Sequence, residues 1–351
     1  ASQKQFYRFL QQAKTRVPHL NIVIIAGNHD SPGRLEAPGP LLETLDATVI
    51  GFVPRLTDGS IDLQKLVVPI KNKTGDVKAW CLAIPFLRPG DVPCVDTEGD
   101  PYMEGIALLY QQTLSLRQPG QAIIALGHCH MVGGEISQES ERRIVIGGTE
   151  ALSANMFDAS VAYAALGHLH LAQKVGKQEH LRYCGSPLPM SFAEVGYQHQ
   201  VLRVDLVDEH AAAITPLYVP RAVQLLRVPA QPAAIDEVLA ALSVLDLPNH
   251  DDSTQHAYLE VRVRLDAPEP GLRARIEAAL EGKPVRLAKI ETSFEPKKQN
   301  DSATSSLAEL EKLQPDDIFA QLYRSRYDTD APPEITAAFA EIMLNQEGSA
   351  T

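Results

Sequence analysis

A chain of 351 residues, 44% of them hydrophobic, is long enough for two domains and has the composition of a globular protein. No apolar run approaches the roughly 20 residues that span a bilayer, no charged-then-apolar leader opens the chain, and four scattered cysteines form no CxxC pair, so a reducing cytoplasm is the expected location and a membrane is not. The formal net charge of −12 speaks mildly against nucleic acid as a partner, although a metal site brings positive charge that the count omits.

The chain opens on "SQKQFYRFLQQAKTR", where Phe6, Phe9, Leu10 and Ala13 follow helical spacing. Its first residue is Ala and it begins inside this pattern, so we expect a natural N-terminus upstream. "NIVIIA", Asn21 to Ala26, is a short β-branched strand, too apolar for an edge and expected to be buried on both faces. Gly27 is expected to turn the chain sharply, through backbone angles closed to other residues. Asn28, His29 and Asp30 then stand at the carboxyl end of a strand, where α/β sheets place their ligands. An ordinary turn cap also accounts for the Asn and the Asp.

Further strands are expected in "KAWCLAIPF", "AIIALGH", "RRIVIGG", "VAYAALGH", "HLRYCGS" and "HQVLRVDL", with a helix over Met103 to Arg117. Many strands and few helices predict a packed α/β sandwich over 1–219, with antiparallel portions late in the domain. Residues 220–296 read as a small α+β module. Its strands lie in "RAVQLLRVP", "HAYLEVRVRLD" and "KPVRLAKIETSF", with helices over Pro232 to Val244 and in "PGLRARIEAAL". It is rich in basic side chains, among them Arg262, Arg264 and Arg286, for which a solvated mixed-charge surface is the bland account. A polar linker at 297–306 precedes a helical tail at 307–351. In that tail Leu307, Leu310 and Leu313 form one apolar stripe, Ile318, Phe319, Leu322 and Tyr323 a second, and Ile335, Phe339, Ile342 and Met343 a third.

Three strand ends share one design. "IIAGNHD", "AIIALGHCH" and "VAYAALGHLH" each run an apolar strand into glycine and then present imidazole: His29, His128, and His168 with His170. An isolated histidine is usually a surface or core residue, but three such units can converge on one sheet edge, and imidazole is the commonest metal ligand. In an extended "GHLH" segment His168 and His170 share a face while Leu169 points into packing. Imidazoles with an Asn carbonyl oxygen suit manganese, iron or zinc. Cys129 reads as a bystander, and His130 as structural or supporting.

"GNHD", "GH" and "GHxH", in this order, resemble the later signature motifs of the calcineurin-like metallophosphoesterases. "IPFLRP", "ALGHLHLAQ" and "HLRYCGSPLPMSF" bring the likeness closer to the nuclease branch that works with an SbcC-type ATPase. The likeness spans about Phe6 to Phe192 and continues more weakly beyond. It implies a metallophosphoesterase β-sandwich flanked by helices, followed by a capping domain and a partner-binding tail. It also implies two divalent ions, of the Mn2+ type, with Asn28, His128 and His168 as ligands of one and His170 of the other. His29 resembles the catalytic histidine, with Asp30 orienting it, and Gly185-Ser186-Pro187 resembles a structural turn beside the site.

The implied activity is double-strand exonuclease and single-strand or hairpin endonuclease action on DNA in repair and recombination, by a homodimer within a heterotetramer. A small-molecule metallophosphoesterase is the alternative enzyme. The family's "DxH" and "GDxxD" motifs are missing before "GNHD", and Gly90-Asp91 in "RPGDVPCVD" is a decoy. The fold is therefore expected to be incomplete at its N-terminus, and this chain alone to be an inactive binding scaffold.

Overall fold

The amphipathic opening folds as helix α1 (Ser2–Arg16), with Leu10 fully buried beneath it. In this computed structural model the described residues are 2–118, 120–136, 151–267, 269–294, 315–333, 335–336 and 339. The chain divides into two compact units, 1–224 and 225–351. The expected strand "RRIVIGG", the linker at 297–306, the stripe of Leu307, Leu310 and Leu313, and the positions of Ile342 and Met343 lie outside the described residues.

In the first unit, strand β1 (Ile22–Ile25) is followed by the short helices α2 (Pro32–Glu36) and α3 (Gly39–Glu43) and by β2 (Ala47–Ile50), its parallel partner. The alternation of a strand explains the unbroken apolar run. Ile22 and Ile24 pack toward α1 and Leu42, whereas Val23 and Ile25 pack toward the main core. Both faces are packed as expected, yet every β1 residue stays half-buried, because among the described residues the strand is paired on one edge only.

The main sheet contains β3 (Val67–Lys71), β4 (Val77–Ala83), β5 (Ala122–His128), β6 (Val161–Gly167), β7 (Gln173–Val175) and β8 (Gln178–Tyr183). Its order is β3-β4-β5-β6-β8-β7. The four central strands run parallel, and antiparallel β3 and β7 close the two edges. Helix α4 (Pro101–Ser115), inserted before β5, buries Ile106, Leu109 and Tyr110 in the core; Asp100 caps it by accepting from the Tyr102 and Met103 amides. The antiparallel pair β9 (Gln200–Val207) and β10 (His210–Tyr218) forms a second layer. Leu206 there packs on Ala79, Ala122 and Ala162, three small residues that let the layers approach.

In the second unit the small module is a βαβαβ arrangement: β11 (Leu225–Ala233), α5 (Ile235–Ser243), β12 (Ala257–Leu265), α6 (Leu272–Ala279) and β13 (Val285–Phe294). All three strands are parallel, with β12 central, as helical crossovers require. Leu259, Val261, Val263 and Leu265 face the helices. On the opposite face the register pairs Tyr258 with Arg286, Glu260 with Lys289, and Arg262 with Glu291. Glu260, fully buried, joins Arg227 and Lys289 there, and the Arg286 guanidinium lies 3.8 Å over the Tyr258 ring. Helix α7 (Pro315–Tyr327) belongs to the tail; Pro315 opens it, and Phe319 stacks on Phe339 at 4.2 Å. No described helix is long and apolar enough to cross a membrane.

Candidate metal centre

The parallel strands point their carboxyl ends the same way, so β5 and β6 deliver His128 and His168 side by side, ring centroids 5.5 Å apart. The end of β1 joins them through its backbone, where Ala26 O accepts from the Phe86 amide at 2.8 Å. His128 Nε2 and Asn28 Oδ1 stand 2.9 Å apart. Asn28, His29, His128, His168 and His170 line one cavity of about 180 Å³. Clefts of about 460 and 630 Å³ lie elsewhere on the same unit, and neither gathers imidazoles.

The glycines do something other than expected. Gly27 does not adopt a positive φ. A Cβ on it would stand 2.6 Å from His128 Cε1, and a Cβ on Gly167 would stand 2.9 Å from Nδ1 of the same ring. A Cβ on either glycine would run into the same imidazole, so close approach, not backbone freedom, requires them. The strained residue is His168, with φ +99, a conformation that costs a non-glycine residue about 1–3 kcal/mol and is held where the surroundings impose it. "GHLH" is thus not extended throughout: β6 ends at Gly167, and the kink at His168 turns the chain while Leu169 is buried as expected.

Burial, with the neighbouring His29 and His170 imidazoles adding, pushes His128 down to about 4. Burial first, and then His128, His130, His170 and His29, does the same to His168. Both are therefore neutral near pH 7 and each keeps one lone pair, the form that binds metal.

His29 is exposed at the cavity mouth. Asp30 does not hold it: its Oδ2 accepts from the Gly27 amide at 2.7 Å, and among the described residues no hydrogen bond joins Asp30 to His29. The carboxylate closes the turn, because the amide three residues back is its nearest donor. His130 lies 6.4 Å from the His168 ring. Burial pushes the Cys129 thiol up to about 12, which keeps it protonated and inert. Asp91 accepts from the Arg88 amide at 2.8 Å in its own turn and does not line the cavity.

Sequence reasoning missed Glu194. It is fully buried, and its Oε1 accepts from His170 Nδ1 at 2.8 Å. An acidic residue inside the apolar stretch "PLPMSFAEVG" was the available signal.

The donor set fits part of a divalent-metal shell. Two atoms each about 2.1 Å from one ion stand about 3 Å apart, as Asn28 Oδ1 and His128 Nε2 do. A ligand histidine commonly donates its other nitrogen to a carboxylate, as His170 does. Among the described residues, however, no three His, Cys, Asp or Glu side chains form a ready-made shell, and no carboxylate lines the cavity.

Residues 221–327 match the family described as the Type 5 capsule protein repressor C-terminal domain. The chain is 35% identical over 331 residues to the SbcD subunit of the SbcCD nuclease of Rhodobacter capsulatus, covering 92% of this chain and 80% of that protein. It is 29% identical over 316 residues to the corresponding protein of Escherichia coli K12, covering 85% and 73%. Against that of Bacillus subtilis it is 33% identical over 194 residues, covering 52% and 46%. With these relatives, a mixed sheet flanked by helices and carrying imidazoles on its carboxyl edge is a metallophosphoesterase fold. Within that class, the chain belongs to the SbcD family.

Proposed function

We propose that this chain is the nuclease subunit of an SbcCD-type complex and hydrolyses DNA phosphodiesters with two divalent ions, of which manganese is the leading candidate. One observation carries the reading: Asn28, His128 and His168, far apart in sequence, meet at one cavity with both histidines kept neutral. Asn28, His128 and His168 would hold one ion, and His170 would contribute to the other. The ions would supply Lewis-acid polarisation of a phosphoryl oxygen and a more acidic water.

The chain's own residues would do the rest. His29, exposed at the mouth, would stabilise charge on the leaving oxygen or protonate it, a step typically worth ~10²–10⁴-fold. Gly27 and Gly167 leave the His128 ring the room it occupies. Asp30 braces the turn that carries Asn28 and His29. In the second unit Arg262, Arg264 and Arg286 would contact phosphates, which positions a duplex without reading its sequence. ATP hydrolysis would belong to an SbcC-type partner. A homodimer inside a larger assembly acting on double-stranded and hairpin ends is the arrangement we favour.

Two dications would need anionic ligands, and no described carboxylate lines the cavity. We therefore expect the 351-residue chain by itself to bind without cleaving. The test compares hydrolysis of linear duplex DNA and of a small phosphodiester with manganese, by the complex and by the chain alone. In a cleavage-competent form that carries the remaining acidic ligands, Asn28→Ala and His168→Ala should each abolish metal binding with activity, whereas His29→Ala should keep most of the metal binding and lose activity. Equal metal loss in all three would refute the division of roles.

A further inference from the structure

His170 is tied down from several sides. Its backbone oxygen accepts from the Ser186 amide at 3.0 Å, and Gly185 approaches so closely that a Cβ there would stand 2.6 Å from that oxygen. Its Nδ1 faces Glu194 Oε1 at 2.8 Å. The other oxygen of Glu194 accepts from the Met190 amide at 3.0 Å and lies 3.4 Å from the Ser186 hydroxyl. His199, almost fully buried, donates from Nδ1 to Ser186 O at 2.9 Å and so extends the network inward.

We propose that Glu194 is a positioning residue. Its carboxylate fixes His170 as the Nδ1–H tautomer, which puts the lone pair on Nε2, the ring nitrogen turned away from Glu194, in a residue that lines the cavity. The inference deepens the metal reading and rests on it for its purpose, but the tautomer itself is a property of the metal-free chain.

The chemistry singles out a carboxylate. An ionised carboxyl group accepts at both oxygens and donates at neither, whereas an amide of the same shape has one accepting and one donating end. At position 194 one end meets the Met190 amide, which can only donate. An amide side chain there satisfies Met190 only by turning its oxygen to it, and so presents NH2 to His170. His170 Nδ1 must then accept, and its proton moves to Nε2. Glu194→Gln is thus nearly isosteric and removes the lone pair from the nitrogen a metal would use.

The experiment is histidine-selective 15N labelling of the full chain without metal, with two-bond 1H–15N correlation spectra that report the tautomer and His170→Gln to assign the signal. Wild type should show Nδ1–H at His170, Glu194→Gln should show Nε2–H, and Glu194→Asp should return the Nδ1–H form. A wild type that is Nε2–H, or evenly mixed, overturns the proposal, as does a folded Glu194→Gln with the tautomer unchanged. Should Glu194→Gln fail to fold by circular dichroism, wild type and Glu194→Asp decide the matter.

Calorimetry with Mn2+ alone is the second arm. Where wild type binds, Glu194→Gln should bind about 10–100-fold more weakly, the usual effect of losing a carboxylate behind a ligand histidine, and equal affinity refutes the link to metal. A wild type that binds no Mn2+ sinks the metal reading while the tautomer result stands.

Discussion

Gly27→Ala is the sharpest single test of the site's packing. The added methyl carbon would start 2.6 Å from His128 Cε1 and 3.0 and 3.1 Å from the two ring nitrogens. Ordinary contact begins near 3.5 Å, so the ring must retreat by about 0.9 Å. Gly167 also lies against this ring, where a Cβ would stand 2.9 Å from Nδ1, so the room for retreat is small. Phe86 stands edge-on at 6.2 Å, and His168 crowds a further side. Overpacking of this kind costs about 1–3 kcal/mol.

Trp80, the chain's only tryptophan, sits in β4 and donates to Gln121 Oε1, so its fluorescence reports urea unfolding of the first unit. The informative measurement is a double-mutant cycle with His128→Ala. With the ring gone, the methyl group occupies vacated space, so the cost of Gly27→Ala should shrink by about 1 kcal/mol or more. Additive changes within about 0.5 kcal/mol would show that the ring is not what Gly27 accommodates, and the reasoning would fail.

His128 and His168 are held down to about 4 against an ordinary 6.5, so the unfolded chain binds more protons between those values. Stability of the metal-free protein is therefore fully present above pH 6.5 and should fall as the pH drops toward 4. His128→Gln with His168→Gln should flatten the dependence of the urea midpoint, and an unflattened profile would assign it to other groups. Neutralising Arg262, Arg264 and Arg286 together should weaken duplex binding and reduce its log–log salt slope by roughly 0.9 for each phosphate no longer neutralised; an unchanged slope would make them purely structural cations. Ending the chain after Asn300 removes α7, and co-purification with an SbcC-type ATPase should be lost while the first unit stays folded. Retained binding would move the docking surface elsewhere.

Much of this fold follows from local pattern. The strand-to-glycine runs ending at His128 and Gly167 became β5 and β6, because short unbroken apolar runs suit strands buried within a parallel sheet, and the helical spacing of Phe6 to Ala13 became α1. What pattern cannot carry is the third dimension of a contact. Gly27 reads as a turn former because its local options are visible, whereas the His128 ring against it arrives from a strand about a hundred residues later. Asp30 stands next to His29 in sequence, yet its carboxylate bonds an amide three residues back. Glu194 meets His170 beyond the β7–β8 hairpin, at a separation that no spacing rule marks. The small module reads as α+β from its elements, and only the structure shows that its alternating strands and helices make three parallel strands.

The parallel topology of the main sheet also sets when the candidate site can exist. Antiparallel neighbours can zip from a tight turn, but β5 meets β4 and β6 only after long excursions of chain have closed. Such contacts are intrinsically slow, because loop entropy is lost before any pairing compensates for it. Asn28 and His128, and beyond them His168, cannot face one another until β1 has settled beside β4 and both parallel neighbours are in register. A partly folded chain therefore carries all of these imidazoles and none of the cavity. The cavity therefore depends on pairings distant in sequence, and its appearance reports that they have formed.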